Sequence, residues 1–150
     1  MHIAGKVVVA LVLLPALAKA DEPLRAQDSD VAGVKAEVLQ AHRTSDGMLE
    51  VRWRWHNTTS AAVRLLNKAS VGDALKKETY LLDGANKTKY LVVRDQKGHV
   101  LASPLADGVY LKPDQSATAW AKFKAPPADV DKVTVVIPKT PPFDGIPIAK

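Results

Sequence analysis

From Leu49 to His56 apolar and polar side chains alternate without a break. Leu49, Val51, Trp53 and Trp55 fall on one face, and Glu50, Arg52, Arg54 and His56 fall on the other. A repeat of two is the side-chain period of a β-strand, whereas a helix would scatter the same residues around its circumference. The pattern therefore predicts a half-buried strand in an antiparallel sheet with one wet face. The turn formers Asn57-Thr58-Thr59-Ser60 end it. Upstream, Val34 to His42 reads as a partner strand, and Asp46-Gly47 marks the hairpin between them.

The same reading extends downstream. Strands are predicted at Ala61 to Leu66, Glu78 to Leu82, Lys89 to Arg94, His99 to Ala102, Ser116 to Lys124 and Lys132 to Ile137. Between them lie the turns Asp83-Gly84-Ala85-Asn86, Asp95-Gln96-Lys97-Gly98 and Lys112-Pro113-Asp114-Gln115, a loop from Pro104 to Gly108, and the stiff connector Ala125-Pro126-Pro127-Ala128-Asp129. Val71 to Lys77 suits a short helical turn. Seven or eight short strands with evenly spaced turns are the pattern of an all-β, antiparallel, two-sheet β-sandwich. The proline-rich ending after Pro138 is expected to lie along a sheet edge. Its apolar anchors Phe143, Ile146 and Ile148 favour packing back onto the domain over service as a docking peptide.

The amino-terminal segment belongs to none of this. A start carrying one lysine precedes eight apolar residues, Val7 to Leu14, then Pro15 and the small-residue site Ala18-Lys19-Ala20. This is the order of a secretory signal peptide, residues 1–20. A spanning helix would need about 20 apolar residues, so no membrane span is expected after cleavage. Residues 21–32 are polar and without period, which predicts a flexible leader, and residues 33–150 make up the sandwich domain with its proline-rich tail.

Composition narrows the function. The chain has no cysteine, which rules out disulfides, zinc ribbons and thiol chemistry. Loss of Lys6 and Lys19 with the signal leaves 19 bases against 16 acids, a mild and dispersed excess. Nucleic-acid binding calls for a concentrated basic stripe, so no nucleic-acid partner is expected.

Several segments occur in a familiar order: Tyr80-Leu81-Leu82-Asp83, Lys89-Tyr90-Leu91-Val92-Val93-Arg94-Asp95, and Ala119-Trp120-Ala121-Lys122-Phe123. After them come Ala125-Pro126-Pro127-Ala128-Asp129-Val130, Val133-Thr134-Val135-Val136-Ile137-Pro138 and Pro142-Phe143-Asp144-Gly145-Ile146-Pro147-Ile148. About half of the mature chain thereby resembles a group of bacterial exported immunoglobulin-like domains, some of which precede an OmpA-like peptidoglycan-binding domain. The resemblance implies an immunoglobulin-like β-sandwich, a place in the cell envelope, periplasmic or extracellular, and an accessory role. It carries no active-site residues. With no OmpA-like module before Lys150, wall association would run through a partner.

Candidate chemistry is sparse. Trp53 and Trp55 could line a carbohydrate or peptide groove, but Leu49 and Val51 continue their stripe, which favours core. Arg52, Arg54 and His56 share the wet face and could bind an acidic partner such as a carboxylate-bearing polymer. Against this stands a solvated face whose charges pair with acids on a neighbouring strand. His42, Met48, His56 and His99 raise the question of a metal carrier, with His42 and His56 approaching across the hairpin, but their spacing is not that of a ligand set. Neither Ser103 nor Ser116 sits in a nucleophile motif. Asp46, Asp83 and Asp114 suit turns, and Asn57-Thr58-Thr59 and Asn86-Lys87-Thr88 match the short glycosylation sequon. The expected function is thus a non-enzymatic envelope protein without cofactor, binding another envelope protein or a wall component. The alternative is a periplasmic small-ligand or metal carrier.

Overall fold

The computed structural model describes residues 22–150, so the signal peptide expected at residues 1–20 lies outside the described residues. The fold is all-β with antiparallel sheets. Ten strands and one short helix are found among the described residues: β1 (Arg25–Asp28), β2 (Val34–Arg43), β3 (Met48–Asn57), β4 (Val63–Leu66), α1 (Val71–Lys77), β5 (Tyr80–Asp83), β6 (Thr88–Leu91), β7 (Val109–Leu111), β8 (Ser116–Lys124), β9 (Lys132–Val136) and β10 (Phe143–Pro147). One four-stranded sheet has the order β1-β2-β3-β8 and a second the order β10-β9-β5-β6, while β4 and β7 pair separately.

The β3 alternation has its expected consequence. Leu49, Val51, Trp53 and Trp55 are fully buried, and their polar neighbours face outward. The two indoles meet edge to face, 5.8 Å between centroids at 85°, a preferred aromatic geometry. Their cross-strand neighbours are small: Trp55 lies between Ala36 and Ala117, and Trp53 between Val38 and Ala119. Alanines flanking tryptophans keep the layer close-packed without forcing rotamers. The buried residues of all three sheets and of α1 join in one hydrophobic cluster.

Two expectations are corrected, and one strand carries an irregularity. The leader is not free chain: Arg25–Asp28 pairs with Lys35–Val38, and Leu24 N–H donates to the Val38 carbonyl at 2.8 Å. An edge strand held by main-chain bonds needs no apolar period, and most side chains of β1 are exposed. Residues 99–102 form no strand of their own. They touch β8 through an isolated bridge, Ala102 with Ala121, and through Lys122 N–H to the Leu101 carbonyl at 2.9 Å. In β2 the register shifts between Val38 and Gln40, so Leu39 is an inserted bulge residue and the buried positions change from even to odd numbers.

The short β4–β7 pair fixes one end of the core. Gly108 precedes β7 at φ +83°, and a Cβ there would lie 2.2 Å from the Leu66 carbonyl oxygen, so only glycine admits the approach. The proline-rich ending packs. Phe143 and Ile146 are buried, β10 pairs with β9, and Ala149 crosses to β2, where its N–H donates to the Ala41 carbonyl at 2.8 Å.

Candidate functional site

The outward face of the β1-β2-β3-β8 sheet carries the sequence-predicted residues in three cross-strand rows. His56 stands between Lys35 and Ser116, Arg54 between Glu37 and Thr118, and Arg52 between Gln40 and Trp120. They lie along one strand, but their surroundings differ.

Arg54 is committed. Its Nε donates to Glu37 Oε2 at 2.6 Å, with both side chains mostly shielded. This is a short charge-assisted bond between cross-strand neighbours. His56 is also held, its Nε2 lying 2.8 Å from Asp114 Oδ1. Asp114 sits in the turn before β8 at φ +61°, a left-handed conformation that aspartate tolerates better than most residues. Arg52 differs. Its nearest carboxylate, Glu50 on its own strand, is 3.9 Å away, and its side chain is 43% exposed. Beside it Glu22, Leu39 and Gln40 complete the lining of a depression of about 240 Å³. Of the three candidate cations, Arg52 is the most exposed and the one without a close carboxylate partner.

Sequence reasoning missed Trp120 as a surface residue. In β8, Ala119, Ala121 and Phe123 point inward, so Trp120 points outward, partly exposed across from Arg52. The same two-residue rhythm could have placed it. Leu39 was also missed, because only the bulge brings it to the depression.

His42 and His56 do not approach each other across the hairpin. Antiparallel pairing puts His42 opposite Glu50 and His56 opposite Lys35, so the two histidines sit seven residues apart along β2. That separation is on the order of 20 Å. His99 lies in another turn, with Nδ1 3.3 Å from Asp95. Among the described residues no group of three or more His, Asp or Glu side chains is placed to hold a metal.

Several other polar groups have structural partners, whereas His42 Nδ1 and the indole N–H groups of Trp53 and Trp55 are buried without one. Ser103 is buried, and its Oγ accepts the Trp120 N–H at 2.7 Å. Asp83 is buried and accepts the Asn86 N–H at 3.2 Å and the Asn86 side-chain amide at 2.6 Å. Asp46 closes the β2–β3 turn, where a hydrogen bond from the Thr44 hydroxyl is the main cause holding its carboxyl below the ordinary value. Arg43 clamps the connector before β9, its guanidinium donating to the carbonyls of Pro126, Pro127 and Val130 at 2.6, 2.8 and 3.0 Å. No helix among the described residues is long and apolar enough to cross a membrane. No family model, curated protein or solved structure matches the chain.

Proposed function

We propose that this chain is a non-enzymatic exported protein of the cell envelope, an immunoglobulin-like β-sandwich that binds another protein or a wall component through the open face of β3 and β8. The export pattern of residues 1–20 supports the location. Two antiparallel sheets that share one core without disulfides support the architecture.

The observation that carries the binding reading is the Arg52–Trp120 row. A loosely paired guanidinium stands beside a partly exposed indole on a solvent-facing sheet surface, with a depression next to it. Arginine and tryptophan dominate interface energetics, because each offers a large contact area together with directional donors. The fork of Arg52 suits a carboxylate, as in an acidic peptide or a carboxylate-bearing polymer. Arg54 and His56 form the two charge-paired rows that follow it along the same strand.

The test is site-specific crosslinking in the cells that express the protein. A photoreactive residue at Thr118, exposed next to Trp120 on the same strand, should attach to one recurrent partner. Arg52→Glu should abolish that product without lowering the melting temperature. Recovery of monomer alone, or a product unchanged by Arg52→Glu, would refute the proposal.

A further inference from the structure

A second surface lies beyond the β8 edge, between α1 and residues 98–106. The groove there encloses about 350 Å³, at the low end of the range of about 300–1,000 Å³ typical of small-molecule sites. Its walls are apolar: Val71 and Leu75 from the helix, Val100 and Leu105 from the facing segment. Its titratable lining consists of Lys68, Lys76 and His99, with no acidic side chain among the lining residues. The lysines are not spent elsewhere. Among the described residues neither Lys68 nor Lys76 has a carboxylate within 4.0 Å, although their neighbour Lys77 pairs with Asp73 at 3.4 Å. His99 Nδ1 lies 3.3 Å from Asp95 Oδ2, so the two lysines supply the field.

Gly72 points the same way. It lies on α1 with no left-handed φ, and a Cβ built on it meets nothing within 4 Å. Neither a left-handed φ nor close packing calls for glycine there. Gly72 lines the groove, and a side chain there would have open space to occupy.

We propose that this groove binds a single-chain amphiphile with an anionic head, of the class of a medium-chain fatty acid. The apolar body would lie against Leu75 and Val100, and the carboxylate would sit between Lys68 and Lys76. An apolar trough with an uncompensated cationic rim attracts that combination and repels a cationic amphiphile. The site is separate from the Arg52 row, so this proposal stands or falls independently of the one above.

The experiment is a titration of the processed protein with decanoate, below its micelle concentration, followed by amide chemical shifts. Saturable shifts are expected at Gly72, Lys76, His99 and Val100, and decyltrimethylammonium should produce none. The double variant Lys68→Glu/Lys76→Glu should weaken binding by about tenfold or more, as expected for loss of charged hydrogen bonds. Gly72→Leu should fill the groove and abolish the shifts while preserving the melting temperature. No saturable response to decanoate, equal shifts with the cationic amphiphile, or shifts that survive Gly72→Leu would each overturn the assignment.

Discussion

The side-chain amide of Asn57 donates to the main-chain carbonyl of Leu111 at 3.1 Å, tying the end of β3 to β7 across 54 positions of sequence. The same nitrogen reaches the carbonyls of Ala61 and Lys112 at 2.8 and 3.2 Å, and the amide oxygen accepts the Thr59 N–H and hydroxyl at 2.9 and 2.7 Å. Asn57 is fully buried. A residue that reads in the sequence as a simple turn former therefore joins the two-stranded β4–β7 pair to the larger sheet. Its amide nitrogen, closed in by three carbonyls, is not open to a glycan.

Removing that side chain strands several polar groups where water does not replace it. Asn57→Ala is expected to destabilise the domain by on the order of 3 kcal/mol, measured by urea unfolding. Asn57→Asp should fare no better, because it keeps the acceptors but sets a carboxylate against three carbonyl oxygens. A loss below about 1 kcal/mol for Asn57→Ala would show that the network is dispensable.

The inward and outward faces of β3 predict opposite sensitivities one residue apart. Trp53 is fully buried between Val38 and Ala119, so Trp53→Ala leaves a cavity that those small neighbours do not fill. The expected loss is about 3–5 kcal/mol. Arg52→Ala, on the wet face, should stay within about 0.5 kcal/mol. Thermal unfolding of the two variants side by side checks this, and coincident curves would contradict the assignment of faces.

How much of this was legible follows from what each segment must do. β3 could be read because one face is buried and the other wet, which writes the strand period into the residues. β1 could not, because an edge strand held by main-chain bonds has no side-chain constraint to display. The bulge left a trace, the adjacent apolar pair Val38-Leu39 where alternation would have called for a polar residue. β7, three residues long, is too short to show a period. At the site, the type of Arg52, Arg54 and His56 was visible but their availability was not. Whether an arginine is spent depends on cross-strand register, and only that register brings Glu37 to Arg54 while leaving Gln40 opposite Arg52. The groove beside α1 was illegible for the same reason, since its two walls come from segments about thirty positions apart.

The proline-rich ending is predicted to be part of the folding unit. Phe143 and Ile146 belong to the core, Ile148 N–H donates to the Asp131 carbonyl at 2.8 Å, and Arg43 N–H donates to the Ala149 carbonyl at 3.0 Å. Deleting residues 143–150 uncovers β9 as well as the core, so the truncated chain should lose its cooperative thermal transition. Phe143→Ala alone should cost about 3–5 kcal/mol. A truncated protein that melts like the full domain would mean that the ending only rests on the surface.

The last prediction concerns acid. Asp95 accepts the backbone N–H groups of Lys97 and His99 at 2.8 and 2.9 Å. The bond from His99 is the main cause holding its carboxyl below the ordinary value of 3.8, against a smaller opposing effect of desolvation. A carboxyl whose pKa is lower folded than unfolded stabilises its turn at pH values above the unfolded pKa, and that stabilisation is lost as pH falls through the folded one. The turn at 95–98 should therefore stay closed from neutral pH down to about pH 4 and loosen only below it. In an amide-resolved titration, Lys97 and His99 should move together with a midpoint below 3.8, and Asp95→Asn should abolish that movement because the amide accepts the same bonds without titrating. A midpoint at or above the ordinary aspartate value would mean that the two N–H groups do not hold the carboxylate in solution.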